Sequence, residues 1–145
     1  MKAKQLNRPQ RGVTLIELLV VLVILGLLAG VVGPSIWDKF VKAKRDTAAL
    51  QIQEFGPSLD MFKLEVGRYP TSQEGLQALM VAPPGVPGWS GPYLRKPTLP
   101  KDPWGFDYHY VSPSQHGLGY DISSYGPDNA EGGDGDNKDI NSWEK

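Results

Sequence analysis

Two groups of carboxylates in this sequence could do chemistry because of where they lie. Glu17 is the only charged residue in the apolar run 13–32. An ionised carboxylate inside such a segment costs several kcal/mol unless a cation neutralises it, so Glu17 predicts an ion pair. The second group is five acids among four glycines in the stretch 125–140. Oxygen ligands on a flexible backbone suit Ca²⁺, although on spacing alone a solvated acidic loop is an equally good interpretation.

The remaining residue types do not form a catalytic pattern. The sequence has no cysteine, no G-x-S-x-G nucleophile motif and no glycine-rich phosphate loop. His109 and His116 are each isolated in the sequence, so packing or exposure to solvent is a better interpretation than a zinc site. We therefore predict a protein that is not an enzyme.

The apolar run 13–32 is long enough for one helix to cross the hydrocarbon core of a bilayer, which is about 30 Å thick. Basic residues precede the run and no acid does, so the positive-inside rule keeps 1–12 in the cytoplasm and exports the rest of the chain. A cleaved secretory signal peptide is one alternative, but its apolar core would be shorter. An ordinary signal anchor that happens to contain Glu17 is another. The basic residues are Lys2, Lys4, Arg8 and Arg11.

The segment R-G-V-T-L-I-E-L, residues 11–18, resembles the N-terminal signature of type IV pilin-like proteins. The resemblance implies that a prepilin peptidase cuts between Gly12 and Val13, that the new amino terminus of Val13 is methylated, and that the apolar helix is retained. The new amine and the Glu17 carboxylate would lie about one helical turn apart. In an assembly of staggered helices, Glu17 can therefore pair with the amine of a neighbouring copy, which neutralises both charges.

Apolar residues continue at helical spacing beyond the span segment 13–35, through 36–67. Spacings of three and four predict an amphipathic helix in two stretches, which Gly67 ends. Gly56-Pro57 lies between the two stretches. We expect it to interrupt or bend the helix, because proline lacks an N–H group and clashes with the preceding turn. The positions are Ile36, Phe40, Ala43, Thr47 and Leu50 in the first stretch, and Phe55, Leu59, Phe62 and Val66 in the second.

Residues 68–145 should form a small head behind this helix. Thr71 or Ser72 can cap a short helix, with Glu74 close to capping-box spacing. The loop 82–103 is rich in proline and glycine, but we expect it to pack on the head, because aromatic side chains occur along it and just after it. These aromatic residues are Trp89, Tyr93 and Trp104.

Residues 107–112 and 119–124 alternate in the manner of strands and predict a small antiparallel hairpin. The resulting fold class is α+β: a long N-terminal helix, made of a membrane span and an amphipathic half, packed on a small globular head. The head has a short helix, a small antiparallel sheet and the C-terminal acidic loop 125–140. Because the sequence has no cysteine for disulfides, a bound metal is the usual way to stabilise so small an exported domain.

Further motifs behind the N-terminal signature resemble the major pseudopilin family of type II secretion, over nearly the whole chain. They are Y-P-T at 69–71, E-G-L-Q-A-L at 74–79, D-P-W-G at 102–105, S-S-Y-G-P-D at 123–128 and D-I at 139–140. Their combination is more specific than the N-terminal signature, which all pilin-like proteins share.

The resemblance implies one Ca²⁺ in the loop 125–140, held by aspartates and backbone carbonyls. The spacing does not follow an EF-hand, since no glutamate closes a twelve-residue loop. The middle of the loop varies among relatives, so Asp134 and Asn137 compete with Asp136 as a ligand. The ligands carried over are the carboxylates of Asp128, Asp136 and Asp139 and the carbonyls of Tyr125 and Ala130.

The same resemblance implies an inner-membrane protein with a cytoplasmic N-terminus and a periplasmic head, which polymerises into a short helical filament that helps to export folded proteins. Its expected partners are further copies, minor pseudopilins, the prepilin peptidase, an inner-membrane assembly platform with its ATPase, and lipid before assembly. Without 1–12 the chain has 11 basic and 16 acidic residues, a formal charge of −5, so nucleic acid is not expected. The alternatives are a major type IV pilin of a surface fibre and a monomeric membrane-anchored calcium-binding module.

Overall fold

The computed structural model describes residues 12–117 and 119–144. Its main element is helix α1, Leu15–Val66. The chain divides into two compact units, one ending at Lys39 and the other beginning at Phe40. The predicted leader 1–12 lies, apart from Gly12, outside the described residues.

In the first unit, α1 carries the apolar run in which the sequence predicts a membrane span. Its most apolar 18-residue window has a mean hydropathy of 3.0, and none of that window is buried. Within the described residues, α1 is the one helix that is long and apolar enough to cross a membrane. Exposed side chains such as Leu19 and Leu22 therefore need lipid or another apolar surface around them.

Helix α1 continues without a break through Gly56-Pro57, so an interruption at this point is wrong, and a bend there stays a prediction. Proline in a helix interior costs about 3 kcal/mol. Phe55 and Leu59, on either side of it, are fully buried, and burial of each side chain contributes about 1.5–3 kcal/mol. Packing on the head therefore outweighs the local preference of the proline.

The two predicted stretches of α1 differ in burial. Ile36, Phe40 and Leu50 of the first stretch are 61%, 53% and 61% exposed. Leu50 and the buried Ala48 are two positions apart, which is about 200° around a helix, so the exposed and buried faces are nearly opposite. The buried face consists of Ala48, Ile52, Phe55, Leu59 and Phe62.

The turn that follows α1 contains the predicted capping box. The Thr71 hydroxyl oxygen accepts a hydrogen bond from the Glu74 N–H at 3.2 Å, and the Glu74 carboxylate accepts one from the Thr71 N–H at 2.7 Å. Arg68 donates two hydrogen bonds to the same carboxylate, at 2.6 and 2.7 Å. The predicted short helix is a single 3-10 turn, Leu76–Leu79.

The head contains an antiparallel sheet of three strands, and its core has this sheet on one side and α1 on the other. β1 and β2 make the predicted hairpin, with Tyr110 opposite Ile122. β3 pairs with β2 on its other edge, with Ile140 opposite Ser124. Since β3 has only two residues, it has no alternating pattern that sequence reasoning could find. The strands are β1 His109–Val111, β2 Asp121–Ser124 and β3 Ile140–Asn141.

The core of the second unit lies between the buried face of α1 and this sheet. Phe55 and Tyr108 meet edge to face, with ring centroids 5.4 Å apart, and Ile122 is fully buried. The aromatic residues of the long loop pack on this core as predicted, and the Trp89 indole N–H donates to the Ala78 carbonyl at 2.8 Å. The predicted α+β fold class is confirmed.

Candidate assembly and metal sites

Thr14 and Glu17 form a capping box at the start of α1. Because the helix begins at Leu15, Thr14 is the N-cap and Glu17 is the third helical residue. The Glu17 carboxylate accepts hydrogen bonds from the Thr14 N–H at 2.9 Å and from the Thr14 hydroxyl at 3.1 Å. The Thr14 hydroxyl oxygen accepts one from the Glu17 N–H at 3.3 Å. In a single chain, the carboxylate therefore has polar partners on its own helix, near the positive end of the helix dipole.

Thr14 is a residue that sequence reasoning missed at this site, although the T-x-x-E spacing is its signal. Hydrogen bonds to an N–H and an O–H group solvate the Glu17 carboxylate but do not neutralise its charge. A cation is still required where apolar groups surround Glu17, because an unpaired charge in such surroundings remains costly. The pairing of Glu17 with the amine of a neighbouring copy stays a prediction.

The predicted cleavage bond lies just before the first turn of α1. Gly12 and Val13 precede the helix, and Val13 is 68% exposed. A Cβ added at Gly12 would meet no described atom within 4 Å. The bond between Gly12 and Val13 therefore lies ahead of the hydrogen-bonded helix.

The acidic loop 125–140 folds back on itself through two short 3-10 helices, Gly126–Asp128 and Gly135–Asn137. Gly133 shows how closely the segment before the second of these helices approaches the end of that helix. Its φ is +83°, and a Cβ added there would lie 2.6 Å from the Asn137 carbonyl oxygen. The turn therefore requires glycine at this position.

Asp139 is the predicted ligand whose environment best fits a cation. It is only 8% exposed, and its Oδ2 accepts a hydrogen bond from the Gly132 N–H at 2.8 Å. Its Oδ1 is buried and has no hydrogen-bond partner among the described residues. Such an atom costs roughly 1–3 kcal/mol, and more when it carries charge, so a bound cation would remove a substantial penalty.

The other predicted ligands are less closely arranged. Asp128 and Asp136 are exposed, and Asp128 accepts a weak hydrogen bond from the Ala130 N–H at 3.3 Å. In the part of the chain that the structure describes, no three side chains of metal-binding type form a group that could hold an ion. The structure therefore does not gather the three aspartates into a cluster, and a complete shell would depend on carbonyls such as those of Tyr125 and Ala130.

The two histidines pack against aromatic rings, as predicted. The His109 and His116 rings stack on neighbouring rings, with centroids 3.7 and 3.8 Å apart. His116 Nδ1 also lies 2.9 Å from an Asp121 carboxylate oxygen. Burial raises the pKa of the Asp121 carboxyl, but hydrogen bonds from the turn 114–116 outweigh burial and bring the pKa below its usual range. Asp121 therefore anchors the turn between β1 and β2.

The chain matches two family models. Residues 35–143 match the model described as type II secretion system (T2SS), protein G. Residues 7–33 match the prokaryotic N-terminal methylation motif. The second match contains the predicted cleavage bond, Thr14 and Glu17, and the first contains the head and its acidic loop.

Similar proteins and a similar structure agree with these models. The type II secretion system core protein G of Klebsiella pneumoniae is 46% identical over 138 residues, which cover 92% of this chain and 94% of that protein. The protein of the same name from Vibrio cholerae serotype O1 is 42% identical over 139 residues, with 94% and 93% covered. The crystal structure of the major pseudopilin from the type 2 secretion system of enterohaemorrhagic Escherichia coli matches with a TM-score of 0.60 and 35% identity, over 70% of this chain and 88% of that chain.

These matches confirm the resemblance that the sequence motifs indicated. The protein G model covers most of the chain, so the relationship does not depend on the N-terminal signature that many pilin-like proteins share. The chain therefore belongs to the protein G family of the type II secretion system, the family of the major pseudopilin.

Proposed function

We propose that this chain is the major structural subunit of a type II secretion pseudopilus, a helical periplasmic filament that helps to export folded proteins across the outer membrane. The observation that carries the proposal is the apolar part of α1, in whose most apolar 18-residue window no residue is buried in the single chain. Such a surface needs lipid before assembly and other copies of itself afterwards. Head-to-tail contacts between identical subunits can propagate into an open filament.

In this proposal the chain crosses the inner membrane once, with its N-terminus in the cytoplasm and its head in the periplasm. A prepilin peptidase cuts between Gly12 and Val13, and Val13 is then methylated. The match of 7–33 to the N-terminal methylation motif supports this processing, as does the position of the bond ahead of α1. An assembly platform and its ATPase extend the filament, which minor pseudopilins join.

Glu17 is the residue that we propose for assembly. Its carboxylate is bonded to Thr14 in the single chain, and cleavage creates a positive amine on Val13. Two opposite charges 4 Å apart attract by about 4 kcal/mol at an effective dielectric constant of about 20. Loss of one partner from a buried pair costs about 3–5 kcal/mol. Removal of Glu17 should therefore leave an unpaired amine between packed helices and impair assembly.

We further propose that the loop 125–140 binds one Ca²⁺. The ligands are the carboxylates of Asp128, Asp136 and Asp139 with the carbonyls of Tyr125 and Ala130. The Oδ1 of Asp139, which is buried and has no hydrogen-bond partner in the part of the chain that the structure describes, supports the proposal. When bound, the ion would neutralise part of the loop's charge and join segments that the chain, having no cysteine, cannot join by a disulfide.

The experiment is to replace the native chain by Glu17→Ala in a bacterium whose secretion depends on it. We expect normal cleavage, read from the mass of the membrane-extracted chain, but at least about ten-fold fewer filaments and less secreted protein, which is the effect of losing about 1.4 kcal/mol or more. Asp38→Ala is the matched control, because it removes an exposed carboxylate from α1 outside the apolar run. It should assemble and secrete normally.

Each contrary outcome points to a different error. Normal filaments and secretion with Glu17→Ala would refute the pairing role. A chain that still begins at Met1 when the peptidase is present would refute the processing and favour a monomeric anchored module. If deletion of the chain abolished surface fibres and left secretion intact, the protein would instead be a major type IV pilin.

A further inference from the structure

We propose that Arg45 is a positioning residue for the acidic loop: it ties the loop to α1 at the peptide that precedes Asp139, and so holds the Asp139 carboxylate ready for a cation. The inference rests on the proposed calcium site. Arg45 donates a hydrogen bond from Nη1 to the Lys138 carbonyl oxygen at 2.5 Å, across 93 residues of sequence.

The Arg45 contact acts directly on the backbone of Asp139. The Lys138 carbonyl belongs to the planar peptide unit that joins Lys138 to Asp139, so a fixed carbonyl fixes the orientation of that unit. On the other side of Asp139, Ile140 begins β3 and pairs with Ser124. Asp139 is therefore held between two anchored points, one made by Arg45 and one by the sheet.

With the backbone held in this way, the two oxygens of Asp139 have different roles. Oδ2 accepts the Gly132 N–H, which joins the segments on either side of the 3-10 helix Gly135–Asn137. Oδ1 is buried and has no hydrogen-bond partner in residues 12–117 and 119–144. Loss of the tether would let the Lys138–Asp139 peptide rotate. Oδ1 could then reach solvent, and binding of a cation would have to restore the buried arrangement.

The negative charges of the loop oppose the arrangement in which the Asp139 carboxylate is buried. The stretch 125–140 has five acids and a single basic residue, Lys138. The Lys138 ammonium lies 3.1 Å from a Glu144 carboxylate oxygen, outside the loop. Arg45 on α1 therefore supplies a cation to the loop backbone from another element, and its weakly hydrated guanidinium suits a hydrogen bond to a carbonyl at such a site.

Positioning and simple electrostatics predict opposite effects on calcium affinity. The charge of Arg45 repels a bound cation, so removing that charge alone should strengthen Ca²⁺ binding. Removing a residue that positions Asp139 should weaken it. The sign of the change therefore separates the two roles.

The test is a calorimetric titration of the full chain in detergent micelles with Ca²⁺. We expect Arg45→Gln to raise the Kd about ten-fold, in the range found when groups that orient metal ligands are removed, and Arg45→Lys to raise it less. Lys42→Gln is the matched control, because it removes the same charge from an exposed position on the same helix. It should leave the Kd unchanged or slightly lower.

Amide hydrogen exchange without calcium gives a readout that does not depend on the metal. Arg45→Gln should speed exchange of the Gly132 N–H about ten-fold, while the α1 amides near Leu59 keep their rates and so show an intact fold. If wild type binds Ca²⁺ and Arg45→Gln binds it equally well or more tightly, the inference is overturned and the calcium site stands. If wild type does not bind Ca²⁺, the calcium site fails, and with it any role of Arg45 toward a metal.

Discussion

Replacing Asp139 with asparagine should change stability in opposite directions with and without calcium. Asparagine has nearly the same shape and can still accept the Gly132 N–H, but it carries no charge. Asp139 is 8% exposed and its Oδ1 has no hydrogen-bond partner among the residues that the structure describes, so the folded chain without calcium bears the cost of a buried charge. Without calcium, we therefore expect the free energy of unfolding to stay the same or to rise by up to about 1 kcal/mol.

With calcium, wild type should be the more stable protein. A ligand at 100 times its Kd stabilises the folded state by about 2.7 kcal/mol. In a domain of about 100 residues, each kcal/mol shifts the Tm by about 4–8 °C. Calcium should therefore raise the Tm of wild type by roughly 10–20 °C, and Asp139→Asn should lose most of this shift, because asparagine is a neutral and weaker ligand.

The assay is thermal unfolding of the full chain in detergent micelles, followed by near-ultraviolet circular dichroism of the tryptophans, with calcium or with a chelator. Asp107→Asn is the matched control, since it neutralises an aspartate on the head whose side chain is 78% exposed, and it should keep the whole calcium shift. If Asp139→Asn also kept the shift, Asp139 would not be a ligand. Equal Tm values for wild type with calcium and with chelator would refute calcium stabilisation altogether.

Two further predictions concern the head and its helix. The hydrogen bond from Arg68 lowers the pKa of Glu74 to about 2. Burial opposes this shift, and the hydrogen bond from the Thr71 N–H adds to it. A carboxyl with a lowered folded-state pKa loses its stabilising contribution as pH falls from about 5 to 2. Over that range, measured by urea unfolding, the free energy of unfolding of wild type should fall by about 1–2 kcal/mol more than that of Glu74→Gln. Equal decreases would contradict the assignment. Pro57→Ala should raise the free energy of unfolding by about 1–3 kcal/mol, because alanine restores the missing helical N–H, and this should appear as a higher urea midpoint at constant slope. A lower midpoint would mean that contacts of the proline ring stabilise the fold by more than the missing hydrogen bond costs.

The features that could be predicted from sequence are those with local signals. The apolar run with Glu17 identifies α1 and its exposed half, because the mean hydropathy of a segment depends only on residues that are adjacent in sequence. The Thr71 to Glu74 spacing predicts the capping box, and alternation predicts the hairpin of β1 and β2. The spacing of Thr14 and Glu17 is an equally local signal, for the capping box at the start of α1.

The features that could not be predicted depend on distant parts of the chain. Helix α1 passes through Gly56-Pro57 because Phe55 and Leu59 are buried against residues far along the sequence. β3 is too short to have a pattern of its own and exists through pairing with β2. Tertiary contacts override local propensity in both cases.

By itself, the sequence determined the long apolar helix, the α+β class, the acidic loop and, through its motifs, the pseudopilin family. Each of these depends on composition or on the spacing of residues close in sequence. Tertiary structure alone decided which face of α1 is buried, and which acid of the loop loses its contact with water. Five acids are chemically alike in the sequence, but among the described residues Asp139, which directly precedes β3, is the one whose carboxylate has an oxygen buried without a hydrogen-bond partner. Burial is a property of the folded chain, and it is burial that makes one carboxylate differ from its neighbours.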